Sequence, residues 1–173
     1  MLLKSNFEYI EPEDFNNIVV IIRGLEYENS EEVPDYDSER DAVDKYFALI
    51  DRSKLDYYPD IFDKAAHLFI NINSHYFSNG NKRLSVTSTA YFLEKNGHVP
   101  SNLSKKNYES ILSKLFGNFK LSDWDRFEAQ DFGLYNLALI IAKKNEKNHL
   151  EISNDELKNK IKQFFEKTFE IQS

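Results

Sequence analysis

The stretch YPDIFDKAAHLFININSHYFSNGNKRLSVTSTAYFLEKNGH, Tyr58 to His98, decides how the chain is read. Pro59 and Asp60 mark a helix start, and Phe62, Ala66, Phe69 and Ile70 recur at helical spacing as its buried side, predicting a helix that ends near Asn73. A second helix is predicted from about Lys82 to Asn96, with Leu84, Thr87, Ala90 and Tyr91 facing inward, and the NGH sequence stops it. Between the two lies HYFSNGNKR, His75 to Arg83.

The same periodicity continues on either side. Upstream, a helix opens at EPED with Pro12 in its first turn, carries Phe15, Ile18, Val19 and Ile22 on one face, and stops near Gly24. Another begins after Ser38, whose hydroxyl is expected to cap it while Asp41 reaches back, and its stripe is Ala42, Val43, Tyr46, Phe47 and Ile50. The intervening EYENSEEVPDYD, 26–37, reads as a polar loop, and the acidic run through Asp41 as solvated loop and cap. Downstream, helices are predicted at SKKNYESILSKLF, ended by Gly117, at SDWDRFEAQDFGLYNLALIIAKK, and at SNDELKNKIKQFFEKTF. The last carries a Ser153 to Glu156 capping pattern and an apolar stripe of Leu157, Ile161, Phe164 and Phe165. KKNEKNHLEI before it reads as a hinge, and Gly and Pro are sparse, at 5 and 4. The expected fold class is all-α, with strands scarce or absent.

A chain of 173 residues, 41% hydrophobic, suits one domain, or one domain with a helical extension. Its formal charge of -7 repels a nucleic-acid backbone, so nucleic acid is not an expected partner. The absence of cysteine excludes disulfides and thiolate metal sites. The N-terminus turns polar too early for a secretory signal, and the apolar runs IVVII and LALIIA are too short to span a bilayer. A soluble, cytoplasmic protein is the expectation.

In HYFSNGNKR, a turn holding Gly80 delivers the chain into a helix, so free N–H groups of the helix's first turn converge where Asn81, Lys82 and Arg83 sit. Gly80 permits positive φ and close backbone approach, and the helix dipole adds to the two side-chain charges. Polyphosphate fits such a site, with Lys82 a point charge, Arg83 a two-pronged fork and Asn81 an orienting amide. His75 has the residue type to take a proton from an attacking hydroxyl, and Phe77 would pin the loop to the core. His67, His98 and His149 have no such company and read as structural or exposed; Trp124 reads as core.

HYFSNGNKR resembles the motif of the Fic/Doc family, His-x-Phe-x-acidic-Gly/Ala-Asn-Gly/Lys-Arg. The flanking helices are similar too, and the resemblance is strongest over 58–99 within a Fic/Doc-like domain expected at 1–145, followed by a C-terminal helical extension at 146–173. It implies an all-α bundle with a short flap hairpin where GLEYENSEEVPDYD, 24–37, stands. It also implies transfer of a phosphate-containing group from a nucleotide to a protein hydroxyl. Most members transfer AMP; they carry glycine where this chain has Lys82, and a second arginine where it has Val86. The Asn-Lys-Arg form resembles the Doc, or death-on-curing, branch, in which a toxin phosphorylates a translation elongation factor.

Carried over residue by residue, His75 matches the general base, Phe77 the loop anchor, Gly80 and Asn81 the anion hole, and Lys82 and Arg83 the phosphate contacts. The family's acidic Mg²⁺ ligand is Asn79 here, a neutral amide that supplies only a carbonyl. The leading expectation is a Doc-like toxin-type transferase moving phosphate from ATP to a Ser or Thr hydroxyl of a cytoplasmic protein. Fic-type AMP transfer and a catalytically silent nucleotide- or partner-binding module are the alternatives. The chain lacks the family's inhibitory pattern Ser/Thr-x-x-x-Glu-Gly/Asn, so control is expected in trans, from a small antitoxin.

Overall fold

A computed structural model describes residues 6–24, 35–55, 57–74, 76–122, 127–145 and 152–173. Among the described residues the chain forms seven helices, α1 (Pro12–Gly24), α2 (Arg40–Ser53), α3 (Ile61–Ile72), α4 (Asn81–Lys95), α5 (Lys105–Phe116), α6 (Ala129–Asn145) and α7 (Asn154–Thr168). A single 3-10 turn, Tyr36–Ser38, precedes α2. Strands β1 (His98–Pro100) and β2 (Phe169–Ile171) pair antiparallel, with His98 opposite Ile171. Among the described residues the fold is all-α apart from this small ribbon.

Helix α4 sits at the centre, packed against α1, α3 and α6. Its sequence explains how it fits there. Ser85, Ser88 and Thr89 are 0% exposed, as are Leu84, Phe92 and Leu93, so small side chains interleaved with apolar ones let neighbouring backbones come close while the core stays filled. Two of the buried hydroxyls find partners: Ser88 Oγ accepts from Tyr46 Oη at 2.9 Å, and Ser85 Oγ donates to the Lys82 carbonyl at 2.8 Å, whereas Thr89 Oγ1 has none. A helix buried on several faces has no single stripe, which is why Tyr91 and Ala90, expected inside, are only partly buried.

The other helices bury most of the stripes their sequences predict, with additions. Phe15, Ile18, Val19 and Ile22 of α1 are buried, as are Ala42, Tyr46 and Ile50 of α2, joined by Leu49, while Val43 and Phe47 are half-buried. Asp60 caps α3, its carboxylate accepting from Phe62 N and Asp63 N at 2.9 Å each. Because α2, α4 and α7 all pack on α3, Leu68 and Ile72 are buried as well as Ala66 and Phe69, while Phe62 and Ile70 are half-buried. Ser153 caps α7, accepting from Glu156 N at 3.1 Å, and Phe165 meets Phe69 edge-on at 5.6 Å, so α7 completes the core. Asp14 joins α1 to α4 by accepting from Tyr91 Oη at 2.9 Å and Lys95 Nζ at 2.6 Å.

Three expectations need correction. Ser38 does not cap α2: its hydroxyl donates back to the Asp35 carbonyl at 2.9 Å, and Glu39 occupies the cap position without a side-chain cap bond. Tyr36 is not part of a solvated loop but is 0% exposed in the core. Helix α6 begins at Ala129, not at Ser122, since Phe127 and Glu128 are not helical. The flap expected at 24–37 falls mainly on residues 25–34, outside the described residues, as do Trp124, His149 and most of the expected hinge. No helix among the described residues is long and apolar enough to cross a membrane.

His67 has a structural setting. Tyr58 stacks on its ring at 4.0 Å, and Lys158 lies over the Tyr58 ring at 4.4 Å. The Asn71 amide donates to the His67 carbonyl at 2.8 Å, which orients its second N–H toward Nδ1, 3.2 Å away. Burial holds this imidazole neutral, its pKa lowered to about 4, with the cations Lys158, Arg52 and Lys64 acting in the same direction. The unfolded chain therefore binds a proton that the folded chain refuses between roughly pH 6.5 and 4. Stability is expected to fall as pH drops through that window, and the fall should flatten in His67→Gln, as followed by urea unfolding at stepped pH. A Cβ on Gly133 of α6 would lie 2.1 Å from the Tyr108 ring, so Gly133→Ala should destabilise by roughly 1–3 kcal/mol in the same assay, outweighing alanine's helix preference of about 1 kcal/mol.

Candidate functional site

The loop between α3 and α4 is held from within. Asn73, at the end of α3, is 0% exposed and donates from its amide to the Ala138 carbonyl of α6 at 2.9 Å, fixing where the loop departs. Phe77 is buried, its ring edge-on to Tyr36 at 5.1 Å. The Asn81 side chain then closes the loop on itself: Oδ1 accepts from Phe77 N at 3.0 Å and Nδ2 donates to the Phe77 carbonyl at 2.7 Å. Both ends of that amide are used on the backbone. The Asn81 amide, expected to orient a ligand, clamps the loop, and this uses its oxygen and one of the two N–H donors on Nδ2.

Gly80 stands at φ 76° and ψ 11°, the left-handed region where glycine carries no Cβ penalty, and it is the N-cap of α4. Its carbonyl accepts from Leu84 N at 2.9 Å, the first helical bond, and from Tyr36 Oη at 2.9 Å. Helical N–H groups ahead of Leu84 have no carbonyl within the helix to meet, and they open onto a cleft of about 230 Å³ lined by residues 78–83 and by Tyr135 of α6. Gly80, Asn81, Lys82 and Arg83 are brought together there. Of the two cations that line it, Arg83 is 3% exposed and Lys82 is half-buried. Two cations, a helix N-terminus and a glycine-permitted close approach make this cleft chemically suited to a phosphate-bearing anion.

His75 lies outside the described residues. Asn79 is exposed, and its Oδ1 accepts from Gly80 N at 2.6 Å. A neutral carbonyl with one lone pair already taken brings no charge to a Mg²⁺, which here would have to be held chiefly by the ligand's own phosphates; among the described residues no group of three or more His, Asp or Glu gathers.

Three contributors escaped the sequence reading. Tyr135 reaches the cleft from a helix more than fifty positions downstream, with no local pattern to mark it. Tyr36 and Glu39 touch the loop from upstream; the one available signal was an aromatic residue inside an acidic run.

This geometry can be set beside known proteins. Residues 14–93 match the Fic/DOC family. The Fic/DOC match covers just under half of the chain, from the first turn of α1 through most of α4, and contains the whole loop. It supports a Fic/Doc assignment and, in general terms, a Fic-type transferase. No curated protein and no solved structure matches the chain. The cleft and the clamp thus fall inside the part of the chain to which the Fic/DOC match applies. Asn81→Ala should strand the buried Phe77 N–H and carbonyl and cost about 1–3 kcal/mol in urea unfolding. Asn81→Asp should fare no better, because its second oxygen would face the Phe77 carbonyl.

Proposed function

We propose that the chain is a Doc-like phosphotransferase that moves the γ-phosphoryl group of ATP to a Ser or Thr hydroxyl of a cytoplasmic protein. The observation that carries this reading is the cleft itself, where Lys82 and Arg83 stand together at the start of α4 behind a left-handed Gly80. In the reaction, the protein hydroxyl oxygen forms a bond to the γ-phosphorus while the bond to the bridging oxygen breaks, and ADP leaves. His75 takes the hydroxyl proton. Arg83 grips the transferred group in a fork, Lys82 supplies a point charge to the phosphates, and main-chain N–H groups of the first turn of α4 cradle the charge that develops. No step depends on a protein-held metal, consistent with the neutral Asn79. A small antitoxin acting in trans is the form of control that accompanies this reading.

A binding module without catalysis is favoured by one observation, the neutral amide at position 79 engaged with its own backbone. The two readings, and AMP transfer, separate in one experiment. Purified protein and its His75→Ala variant are incubated with bacterial lysate and ATP labelled at either the α- or the γ-phosphate. The expected result is γ-label on a protein band, reduced about 100-fold or more in the variant, the scale of lost general-base catalysis. An α-label would move the chain to AMP transfer, and ATP binding by calorimetry without labelled product would establish the silent module. Lys82→Ala should weaken ATP binding roughly tenfold, the scale of one charge-assisted contact.

A further inference from the structure

Two tethers from outside the loop grip it at the peptide units that face the cleft. The Glu39 carboxylate accepts from Ser78 N at 2.9 Å and also from Ser78 Oγ. The Tyr36 hydroxyl donates to the Gly80 carbonyl at 2.9 Å, and its ring packs on Phe77. Both come from one short stretch, 39 to 44 positions upstream.

Peptide planarity turns these bonds into control over direction. The Ser78 N–H shares its rigid plane with the Phe77 carbonyl, which the Asn81 amide holds, so Glu39 and Asn81 grip opposite ends of one peptide unit. The Gly80 carbonyl shares its plane with the Asn81 N–H, and it accepts from both Leu84 N and Tyr36 Oη, so the Tyr36 bond reinforces from outside the helix the direction that the first helical bond gives that N–H. Without Tyr36, a single frayable first-turn bond holds a plane that the left-handed Gly80 resists turning only weakly.

We infer that Tyr36 and Glu39 are positioning residues, which hold the amides of the α3–α4 loop in the orientation a phosphate ligand meets. The inference rests on reading the cleft as a phosphate site. A carboxylate near such a site repels the ligand, so any net benefit from Glu39 must come through the loop it holds. Its two bonds from Ser78 keep it ionised, its pKa lowered below the usual carboxylate value. This separates two effects: Glu39→Gln retains an acceptor and removes the charge, whereas Glu39→Ala removes both.

The test measures amide hydrogen exchange of the loop and ATP binding by calorimetry on the same purified variants. Glu39→Ala and Tyr36→Phe should each speed exchange of amides 77–82 and weaken ATP binding about fivefold, the scale of one hydrogen bond. Glu39→Gln should bind at least as tightly as the parent chain. Unchanged exchange in both Glu39→Ala and Tyr36→Phe would overturn the inference, as would equal binding in Glu39→Ala and Glu39→Gln, both tighter than in the parent chain, which would mark a purely repulsive charge. If the parent chain bound no ATP, the phosphate reading would fall, while the exchange measurement would still decide whether the tethers hold the loop.

Discussion

The bond pair between the Asn81 side chain and the Phe77 backbone is the constraint from which the cleft follows. An amide matches a peptide group in shape and polarity, so Asn81 satisfies one donor and one acceptor that burial would otherwise leave without water. That closure commits Phe77 to the core, forces the chain through a left-handed turn at Gly80, and starts α4 at the position where its first amides meet the open side. A different side chain at 81 would leave the same helix without the same entrance.

Helix α4 transmits this local constraint to the bundle. Its small buried hydroxyls let α1, α3 and α6 close around it, and Asp14 ties its far end to α1. The Asp14 carboxyl is penalised by burial, yet the Lys95 contact, with bonds from Glu11 N and Tyr91, holds its pKa below the usual value. At the other end of α3, Asp60 and Asp63 receive Lys162 Nζ at 2.5 and 3.0 Å, joining the start of that helix to α7. The loop therefore hangs between two helices whose ends are fixed elsewhere.

Much of this was legible in the sequence because its signals are local. Pro12, Asp60 and Ser153 mark helix starts by chemistry within one turn, and apolar spacing gives α1 and α7 nearly residue for residue. Gly80 and the cations after it were legible for the same reason. What was not legible depends on partners distant in the chain. Ser38 looks like a cap until Asp35 is found to take its hydroxyl, and Glu39, unremarkable in an acidic run, acts only once folding brings Ser78 beside it. Tyr135 reaches the cleft and Tyr36 the loop behind it by tertiary packing alone, and the even burial of α4 erases the stripe that periodicity looks for.

Because the cleft is made from the first turn of the most enclosed helix, its occupancy and the integrity of the bundle are one equilibrium. A ligand seated on those amides binds a surface that the unfolded chain does not possess, so its binding free energy adds to that of folding. At a hundred times its dissociation constant the added protection is about 2.7 kcal/mol. Thermal melting in the presence of candidate anions is then a readout of what the cleft accepts, whichever reaction the cleft serves.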